Sequence, residues 1–253
     1  MKTPEPEIAK LKEWIDSARA IVFFGGAGVS TESGIPDFRS ESGLYKARQE
    51  YGYSPEQIIS HSFFLRDPET FYRYYKENLI YPNARPNAAH LGIAALEREA
   101  GKDVCVVTQN IDGLHQAAGS SRVYELHGSV HRNYCLDCGA RYDLAYILNS
   151  PGPVPRCARC GGMVRPDVVL YEEGLDGGVV NGAVNAITDA GLLIVGGTSL
   201  VVYPAAGFLN YYRGKHLVLI NLTETGADSR AGLVIRKPIG EVFSALELSR
   251  PKQ

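Results

Sequence analysis

Four of the five cysteines in this sequence stand in two closely spaced pairs. Cys135 and Cys138 form the first CxxC pair, and eighteen residues separate it from the second pair, Cys157 and Cys160. This spacing is typical of a zinc ribbon, in which two knuckles place four thiolates tetrahedrally around one ion. Four protein ligands leave no coordination position for water or substrate, so we expect a structural zinc ion without a catalytic role. Cys105 lies in an apolar segment and is expected to be an inert core residue.

A glycine-rich turn directly follows the apolar run of residues 21–24. Gly26, Ala27 and Gly28 match the first part of a dinucleotide-binding fingerprint, although Thr31 stands where its last glycine would be. Glycines after a strand let backbone N–H groups approach a phosphate at the start of a helix. The pattern therefore favours a phosphate-binding turn, and an ordinary strand-to-helix connection is the alternative.

Helix-breaking residues come soon after this turn. Gly34 and Pro36 end any helix early, which leaves Asp37, Phe38 and Arg39 on a loop. A carboxylate, an aromatic ring and a guanidinium beside a phosphate-binding turn suit a loop that covers a cofactor.

Polar side chains also follow the next two predicted strands. The strand over 104–108 ends in the segment TQNID at 108–112, and the strand over 123–126 leads into His127 and Gly128. Ligands of an open α/β sheet bind at the carboxyl ends of its strands. His127 is therefore placed to act as a base near neutral pH, with a structural histidine as the alternative.

Two later strands end in groups of the same kind. The strand over 192–195 is followed by the loop GGTSL at 196–200, whose hydroxyls suit a phosphate or a ribose. The strand over 217–220 ends at Asn221. We expect these loops to lie at the same edge of the sheet as the glycine-rich turn.

Helices alternate with these buried strands. Apolar residues at helical spacing predict a helix over 7–20, and further helices are predicted over 87–100, over 176–190 and from about residue 240. The alternation predicts an α/β fold built on a Rossmann-like, doubly wound parallel sheet.

Two insertions are expected to form a smaller, discontinuous domain beside this sheet. The whole chain is expected to be one unit, with the sheet domain over 1–39, 86–131 and 166–253, a helical insertion over 40–85 and the zinc ribbon over 132–165. Aromatic residues are frequent in the helical insertion, and such residues usually belong to the core.

Composition limits the classes of function. The chain has 253 residues and a formal net charge of -2 with both signs interspersed, so nothing recommends direct binding of nucleic acid or of an anionic membrane surface. The N-terminal residues lack the apolar core of a signal peptide, and no apolar run is long enough to span a bilayer. We therefore expect a cytoplasmic protein.

The order of these motifs resembles that of the sirtuins, which are NAD-dependent protein lysine deacylases. The motifs are GAGVSTESGIPDFR at 26–39, TQNIDGLH at 108–115 and YELHGS at 124–129, followed by the two CxxC pairs. The resemblance covers nearly the whole chain. It implies a deacetylase of bacterial or archaeal type, which passes the acetyl group of an acetyl-lysine protein or peptide to the ribose of ADP-ribose and releases nicotinamide.

The resemblance also implies the residues of the site. His127 would be the general base and Asn110 a second catalytic residue. The NAD-binding residues would be Gly26, Ala27, Gly28, Thr31, Phe38, Arg39, Gln109, Asn110, Ile111, Asp112, His127, Gly197, Thr198, Ser199, Asn221 and Ile239. Gln109 and Asn110 would contact the nicotinamide ribose, Ile111 and Asp112 the carboxamide, Thr198 and Ser199 phosphate and ribose, and Asn221 the adenosine ribose. An acetyl-lysine peptide would lie extended along Val168, Val169 and Leu170.

Two segments depart from what is usual in this family. Sirtuins that prefer succinyl or malonyl groups share a Tyr-x-x-Arg pair, whereas here Tyr72 is followed by Tyr75 at the arginine position. We expect a preference for acetyl or other uncharged acyl groups, unless Arg73 reaches in from one turn away. Residues 171–174, YEEG, replace a more typical FGEN, so Glu172 adds a negative charge at the rim of the site.

Other functions remain open at the level of the sequence. A mono-ADP-ribosyltransferase would use the same cleavage of NAD with a different acceptor. A non-catalytic sensor of NAD or ADP-ribose would bind without turnover, and a zinc-ribbon scaffold would leave the polar strand ends without a purpose.

Overall fold

A computed structural model describes residues 5–37, 41–98 and 102–246. The predicted NAD-binding residues Phe38 and Arg39 and the predicted helix end near residue 100 lie outside the described residues. The strands are β1 (Ala20–Gly25), β2 (Asp103–Thr108), β3 (Val123–Glu125), β4 (Gly128–Cys135), β5 (Arg141–Tyr142), β6 (Val164–Val168), β7 (Leu192–Gly196), β8 (His216–Ile220) and β9 (Leu233–Ile235). The helices are α1 (Pro6–Ser17), α2 (Glu41–Tyr51), α3 (Pro55–Ile58), α4 (His61–Arg66), α5 (Pro68–Asn78), α6 (Ala88–Glu97), α7 (Leu114–Ala117), α8 (Leu144–Leu148), α9 (Gly177–Asp189) and α10 (Ile239–Ala245).

The main sheet has six strands in the order β3-β2-β1-β7-β8-β9. All neighbouring strands are parallel, which confirms the predicted doubly wound sheet. Gly25 at the end of β1 lies level with Thr108 of β2 and Gly196 of β7. The chain direction across the sheet reverses at β1, so the loops after β1, β2 and β7 meet at the crevice where such sheets bind ligands.

Helices cover both faces of the main sheet because its strands are apolar on both sides. Ile21 and Phe23 of β1 belong to the cluster that α1, α6 and α10 cover, while Val22 and Phe24 belong to the cluster under α9. Successive side chains of a strand point to opposite faces, so a continuous apolar run needs cover on both.

Side-chain caps begin several of the helices. The Asp67 carboxylate accepts the N–H of Thr70, and the Asp176 carboxylate accepts the N–H of Val179. The first helix ends earlier than predicted, because Ala18 is extended and Ala20 already pairs in β1. Lys102 Nζ binds backbone carbonyl oxygens at this helix end.

A second, three-stranded sheet has the order β5-β4-β6 and is antiparallel. It shares one apolar cluster with α3, α4 and α5, in which Phe71 and Tyr72 pack with Val164 and Val168. The Tyr72 hydroxyl donates a hydrogen bond to the Val164 carbonyl oxygen. The helical insertion and the cysteine-bearing segment therefore form a joint core beside the main sheet. None of the helices in the described part of the chain is long and apolar enough to cross a membrane.

Candidate active site

A cavity of about 250 Å³ lies at the carboxyl edge of the main sheet, against the smaller unit. Its walls come from the glycine-rich turn, the end of β2, the segment after β6, the end of α5 and the loop at 202–204. The predicted site residues that line it are Ala27, Gln109, Asn110, Ile111, Asp112, His127, Val168, Val169 and Leu170. The structure thus brings the predicted base, the pair predicted to bind the carboxamide and the predicted peptide-binding segment into one cavity.

The position of His127 is set by backbone bonds on both sides of the residue. The N–H of Leu126 donates to the Thr108 carbonyl, and the N–H of Val169 donates to the His127 carbonyl at 3.0 Å. The imidazole Nδ1 lies 2.9 Å from the Gln109 carbonyl oxygen. A carbonyl oxygen can only accept, so Nδ1 carries the proton of a neutral ring and Nε2 is the nitrogen with basic character.

Ser30, which the sequence did not indicate as a site residue, connects the polar groups behind the cavity. The Ser30 hydroxyl donates to Asp112 Oδ2 at 2.6 Å and accepts from Asn110 Nδ2 at 3.0 Å. His90 Nδ1 accepts the Asn87 N–H, which leaves His90 Nε2–H to approach Ser30 Oγ at 3.5 Å. The one donor and two acceptor positions of the serine hydroxyl are all used, so Asn110 and Asp112 are held in fixed orientations.

Two buried histidines lie behind this serine, with ring centres 4.7 Å apart. Burial lowers the pKa of His90 to about 4, although the nearby Asp112 carboxylate acts in the opposite direction. Burial and the neighbouring His90 lower the pKa of His115 to about 3. Both rings are therefore neutral at neutral pH. Neither ring nitrogen of His115 has a hydrogen-bond partner within the described residues.

The glycines of the turn after β1 permit close contact with the loop after β7. The N–H of Gly28 donates to the Gly197 carbonyl at 2.8 Å, and the N–H of Gly26 donates to the Gly196 carbonyl. A Cβ atom on Gly28 would lie 2.8 Å from the Gly197 Cα. These glycines are thus needed for the approach of two loops, and their N–H groups are directed to carbonyls instead of pointing freely towards a phosphate as predicted.

Four further predicted NAD-binding side chains within the described ranges do not line the cavity, namely Thr31, Thr198, Ser199 and Asn221. Gln109 Nε2 donates to Thr198 Oγ1 at 3.2 Å, which joins the β2 and β7 loops. Ser199 is exposed, and Asn221 Nδ2 donates to the Thr223 carbonyl. Thr31 Oγ1 donates to the Gly28 carbonyl oxygen.

Ile239 does not fit its predicted role through its side chain. It is 4% exposed, belongs to the core cluster of the main sheet and reaches under Gly196. An apolar side chain at the first residue of α10 packs inward, so a contact of Ile239 with NAD would have to come from its backbone, and the predicted contact stays a prediction.

The segment 171–174 is fastened to the helical insertion by its two glutamates. Glu172 has a left-handed backbone with φ 76°, and its carboxylate accepts the N–H and the hydroxyl of Ser62, both at 2.9 Å. Left-handed backbone favours glycine, the residue that is typical of the resembled family at this position. Glu172 therefore occupies an unfavourable conformation that two hydrogen bonds offset.

Glu173 is anchored more strongly than Glu172. Its carboxylate accepts Arg165 Nη1 at 2.7 Å, the Leu170 N–H at 2.9 Å and His61 Nδ1 at 2.7 Å. Burial raises the pKa of Glu173, but these hydrogen bonds outweigh it and hold the pKa at about 2. The charge of Glu173 is thus compensated within the chain.

Arg73 does not line the cavity, so it is not placed to bind a carboxylate on the acyl group, which the sequence had left open. Its side chain is exposed, with the guanidinium carbon 4.8 Å from the centre of the Tyr51 ring. Tyr75 lines the cavity instead. Among the described residues that line the cavity there is no lysine or arginine.

The four paired cysteines come together as predicted. The Sγ atoms of Cys135 and Cys160 are 3.5 Å apart, those of Cys138 and Cys157 are 3.6 Å apart, and all four lie within 4.8 Å of one another. Four sulfurs at about 2.3 Å from a tetrahedral zinc ion are separated by about 3.8 Å. The cluster therefore fits one structural zinc ion, and Cys105 is buried in β2, away from it.

Some residues of the candidate site could not be found from local patterns. Ser30 lies inside the glycine-rich motif, so its position was a usable signal. His90 meets it from 60 residues away, and nothing in the spacing of α6 indicates that contact. The cavity-facing residues Tyr75, Asn78 and Leu79 follow helical spacing, which indicates a shared face but not what the face meets.

The chain is similar to known proteins along most of its length. The family model of the Sir2 family matches residues 26–204. An NAD-dependent protein deacetylase of Clostridium perfringens is 62% identical over 240 residues, which cover 94% of this chain and 98% of that protein. An NAD-dependent protein deacetylase of Cutibacterium acnes is 55% identical over 238 residues, covering 94% of this chain and 96% of its own.

Solved structures resemble the fold over the same extent. A Sir2 structure with a deacetylated p53 peptide and 3′-O-acetyl ADP ribose has a TM-score of 0.85 and 38% identity, and covers 95% of this chain and 97% of its own. A Sir2 structure with p53 peptide and NAD+ has a TM-score of 0.82 and 37% identity, with 96% of both chains covered.

Proposed function

Since the chain belongs to the Sir2 family and is an NAD-dependent protein deacetylase, we propose that His127 is the general base of its reaction. The observation that carries this proposal is the hydrogen bond from His127 Nδ1–H to the Gln109 carbonyl oxygen, within a cavity that also holds Asn110 and Asp112. It leaves Nε2 as the nitrogen that takes a proton.

The groups around Ser30 support a binding role for the neighbouring polar residues. Asn110 would contact the nicotinamide ribose, and Asp112 would accept a hydrogen bond from the carboxamide while Ile111 packs against the ring. Because the Ser30 hydroxyl binds both polar side chains, their orientations are set before NAD arrives. Ser30 and His90 would thus be positioning residues for the nicotinamide end of the site.

The phosphates and the adenosine end would bind along the edge of the sheet. We assign them to the loops after β1, β7 and β8, where Gly26, Ala27, Gly28, Thr31, Gly197, Thr198, Ser199 and Asn221 stand. The contact between the first two loops supports this assignment, because it brings small residues and hydroxyls together at the strand ends. Phe38 and Arg39 keep their predicted roles as part of the same proposal.

The roles proposed for these residues account for each step of the reaction. Bound NAD would supply the ribose carbon that the acetyl-lysine amide oxygen attacks, and nicotinamide would be the leaving group. His127 Nε2 takes the proton of the ribose hydroxyl that then receives the acetyl group. Overall, acetyl-lysine, NAD and one water give lysine, nicotinamide and O-acetyl-ADP-ribose. The apolar wall formed by Ile35, Ile111 and Val168 supports this chemistry because it limits access of water.

We propose that the peptide pairs with the segment that follows β6. The N–H groups of Val169 and Leu170 already bind His127 and Glu173, so the Val169 carbonyl is the group that we expect to accept a peptide N–H. Replacing the amide nitrogen that pairs there with an ester oxygen in a synthetic peptide should weaken binding; an unchanged KM would argue against this register.

We propose acetyl and other uncharged acyl groups as substrates in preference to succinyl. The absence of lysine and arginine from the described cavity wall supports this choice, since a buried carboxylate without a partner is costly. Steady-state rates on acetyl- and succinyl-lysine versions of one peptide test it, and an equal or higher kcat/KM for succinyl would refute it.

We also propose that the protein works in the cytoplasm, without direct contact to nucleic acid or membrane. The small net charge of -2 supports this view. Cell fractionation with an antibody to the protein would test it, and recovery with membranes or nucleic acid would contradict it. A transferase or a sensor is not favoured by the named relatives.

The first experiment follows an acetyl-lysine peptide and nicotinamide together, with and without NAD. We expect one nicotinamide for each acetyl group lost, and a fall in rate of about 10²- to 10⁴-fold in His127→Ala. His216→Ala is a matched control, because His216 stacks on Trp14 far along the sheet. Wild-type activity in His127→Ala would remove the proposed base, and ADP-ribose attached to protein would indicate the transferase.

A further inference from the structure

The end of α5 presents one face to the cavity. Tyr75, Asn78 and Leu79 are spaced i, i+3 and i+4, so they lie on one side of the helix, and all three line the cavity. This part of the wall therefore offers a phenol hydroxyl, an amide and an apolar side chain. These groups are uncharged, so this end of the cavity suits an uncharged ligand.

The hydroxyl of Tyr75 is unusual among these groups. Tyr75 is 0% exposed, and its Oη has no hydrogen-bond partner within the described residues. The ring stacks on Phe71 at 5.6 Å and meets Tyr72 edge-on at 6.4 Å, so packing holds it in place. Buried hydroxyls are nearly always paired, so an unpaired one beside a cavity calls for a partner that the chain does not supply.

Two other tyrosines of the helical insertion, Tyr51 and Tyr72, have such partners. Tyr72 donates to the Val164 carbonyl oxygen, and Tyr51 donates to Glu77. Burial raises the pKa of Tyr75 far above its usual range, so its hydroxyl stays protonated and able to donate. Among these three tyrosines, only Tyr75 combines an unpaired hydroxyl with a position on the cavity wall.

We propose that the Tyr75 hydroxyl binds a hydroxyl group on the acyl chain of the substrate, so that the enzyme favours hydroxyacyl-lysine over plain acyl-lysine of equal length. A hydroxyl suits this place because it is uncharged and both donates and accepts. The inference rests on the proposed deacylase function and specifies a substrate class for the same cavity.

The chemical step is the one already described. The amide C–N bond of the acyl-lysine breaks, an ester C–O bond to the ribose forms, nicotinamide leaves and one water is consumed. The hydroxyl of the acyl chain is unchanged and serves only in recognition.

The test compares butyryl-lysine with 2-hydroxybutyryl- and 3-hydroxybutyryl-lysine in one peptide, each enantiomer separately. We expect wild type to show a higher kcat/KM for at least one hydroxybutyryl group than for butyryl, with one enantiomer preferred. In Tyr75→Phe, the ratio of hydroxybutyryl to butyryl kcat/KM should fall about tenfold. Tyr74→Phe is the matched control, because Tyr74 is buried on the same helix but does not line the cavity.

Each outcome has a distinct meaning. The substitution Tyr75→Phe removes a hydroxyl without leaving a polar partner unpaired, so the variant is expected to fold, and its thermal melting checks this. A ratio that stays the same in folded Tyr75→Phe overturns the inference. Turnover of butyryl-lysine without any preference for a hydroxyl overturns the inference alone. No turnover of acetyl- or butyryl-lysine by wild type would refute the proposed function and this inference with it.

Discussion

At the scale of single residues, the hydrogen-bond partners of a histidine in the candidate active site determine which of its ring nitrogens carries the proton. The Gln109 carbonyl requires a proton on His127 Nδ1, and the Asn87 N–H requires none on His90 Nδ1. Ser30 then has one donor and two acceptor positions, all used by its neighbours. The electrostatic character of this part of the candidate site therefore follows from a few backbone groups and one hydroxyl.

His115 yields a prediction about stability and pH. A buried imidazole without a partner destabilises the folded state, so His115→Leu should raise the free energy of unfolding by about 1–3 kcal/mol at pH 7. Burial lowers the pKa of His115 in the folded state to about 3, well below the ordinary histidine value of about 6.5. The free energy of unfolding is highest above pH 6.5, where His115 is neutral in both the folded and the unfolded state. Below pH 6.5 the unfolded chain binds a proton at His115 before the folded chain does, so stability is lost as the pH falls towards 3.

The difference between wild type and His115→Leu should therefore widen on going from pH 7 to pH 5, by about 1.4 kcal/mol per pH unit below 6.5. Urea unfolding of both proteins at the two pH values measures this. If His115→Leu is less stable than wild type at both pH values, His115 has a hydrogen-bond partner in solution.

At the scale of elements, the segment after β6 connects the smaller sheet to α4. Glu173 is held by Arg165 and His61, and Glu172 by Ser62. The glutamate that replaces a typical glycine therefore contributes hydrogen bonds to the start of α4, in addition to the negative charge expected from its sequence position. The segment forms part of the cavity wall, so its rigidity bears on substrate access.

Two substitutions separate backbone strain from hydrogen bonding at Glu172. Both Glu172→Gly and Glu172→Ala lose the bonds to Ser62, but only glycine adopts φ 76° without strain. We expect Glu172→Ala to be less stable than Glu172→Gly by roughly 1 kcal/mol. Chemical unfolding of the pair measures the difference, and equal stabilities would mean that the segment relaxes away from the left-handed conformation.

At the scale of the whole molecule, the cavity lies between the main sheet and a unit with its own core. Cys135 and Cys157 belong to the same apolar cluster as Phe71 and Tyr72. We propose that the chain divides into the domains expected from the sequence, with β6 crossing the boundary near residue 166 to pair with β4. The cysteine cluster would then support the helical insertion as well as the strands around it.

Removal of zinc should accordingly affect the substrate site at a distance. We expect a strong chelator, or Cys138→Ser, to release about one zinc ion per chain, to lower the melting temperature and to abolish deacetylation. Metal analysis alongside activity measures this, and added zinc should restore the chelated protein. Cys105→Ala is the control and should retain its zinc. Full activity in metal-free protein would contradict a structural role.

The sequence by itself determined the features that depend on neighbours along the chain. Apolar runs bounded by glycine and polar residues located the strands of the main sheet, and helical periodicity located helices such as α1 and α9. The CxxC spacing predicted that the four cysteines come together as a possible metal site, because two residues between cysteines suffice to form a knuckle. The polar strand ends indicated the side of the sheet where the site lies.

Only the tertiary structure decided how distant residues meet. It brought His90 to Ser30, directed the glycine N–H groups to the loop after β7, buried Ile239 and turned Arg73 away from the cavity. These outcomes depend on packing between elements far apart in the chain, and local spacing carries no information about which faces come together. A side chain's role in the site follows from that packing, whereas its presence at a strand end follows from the sequence.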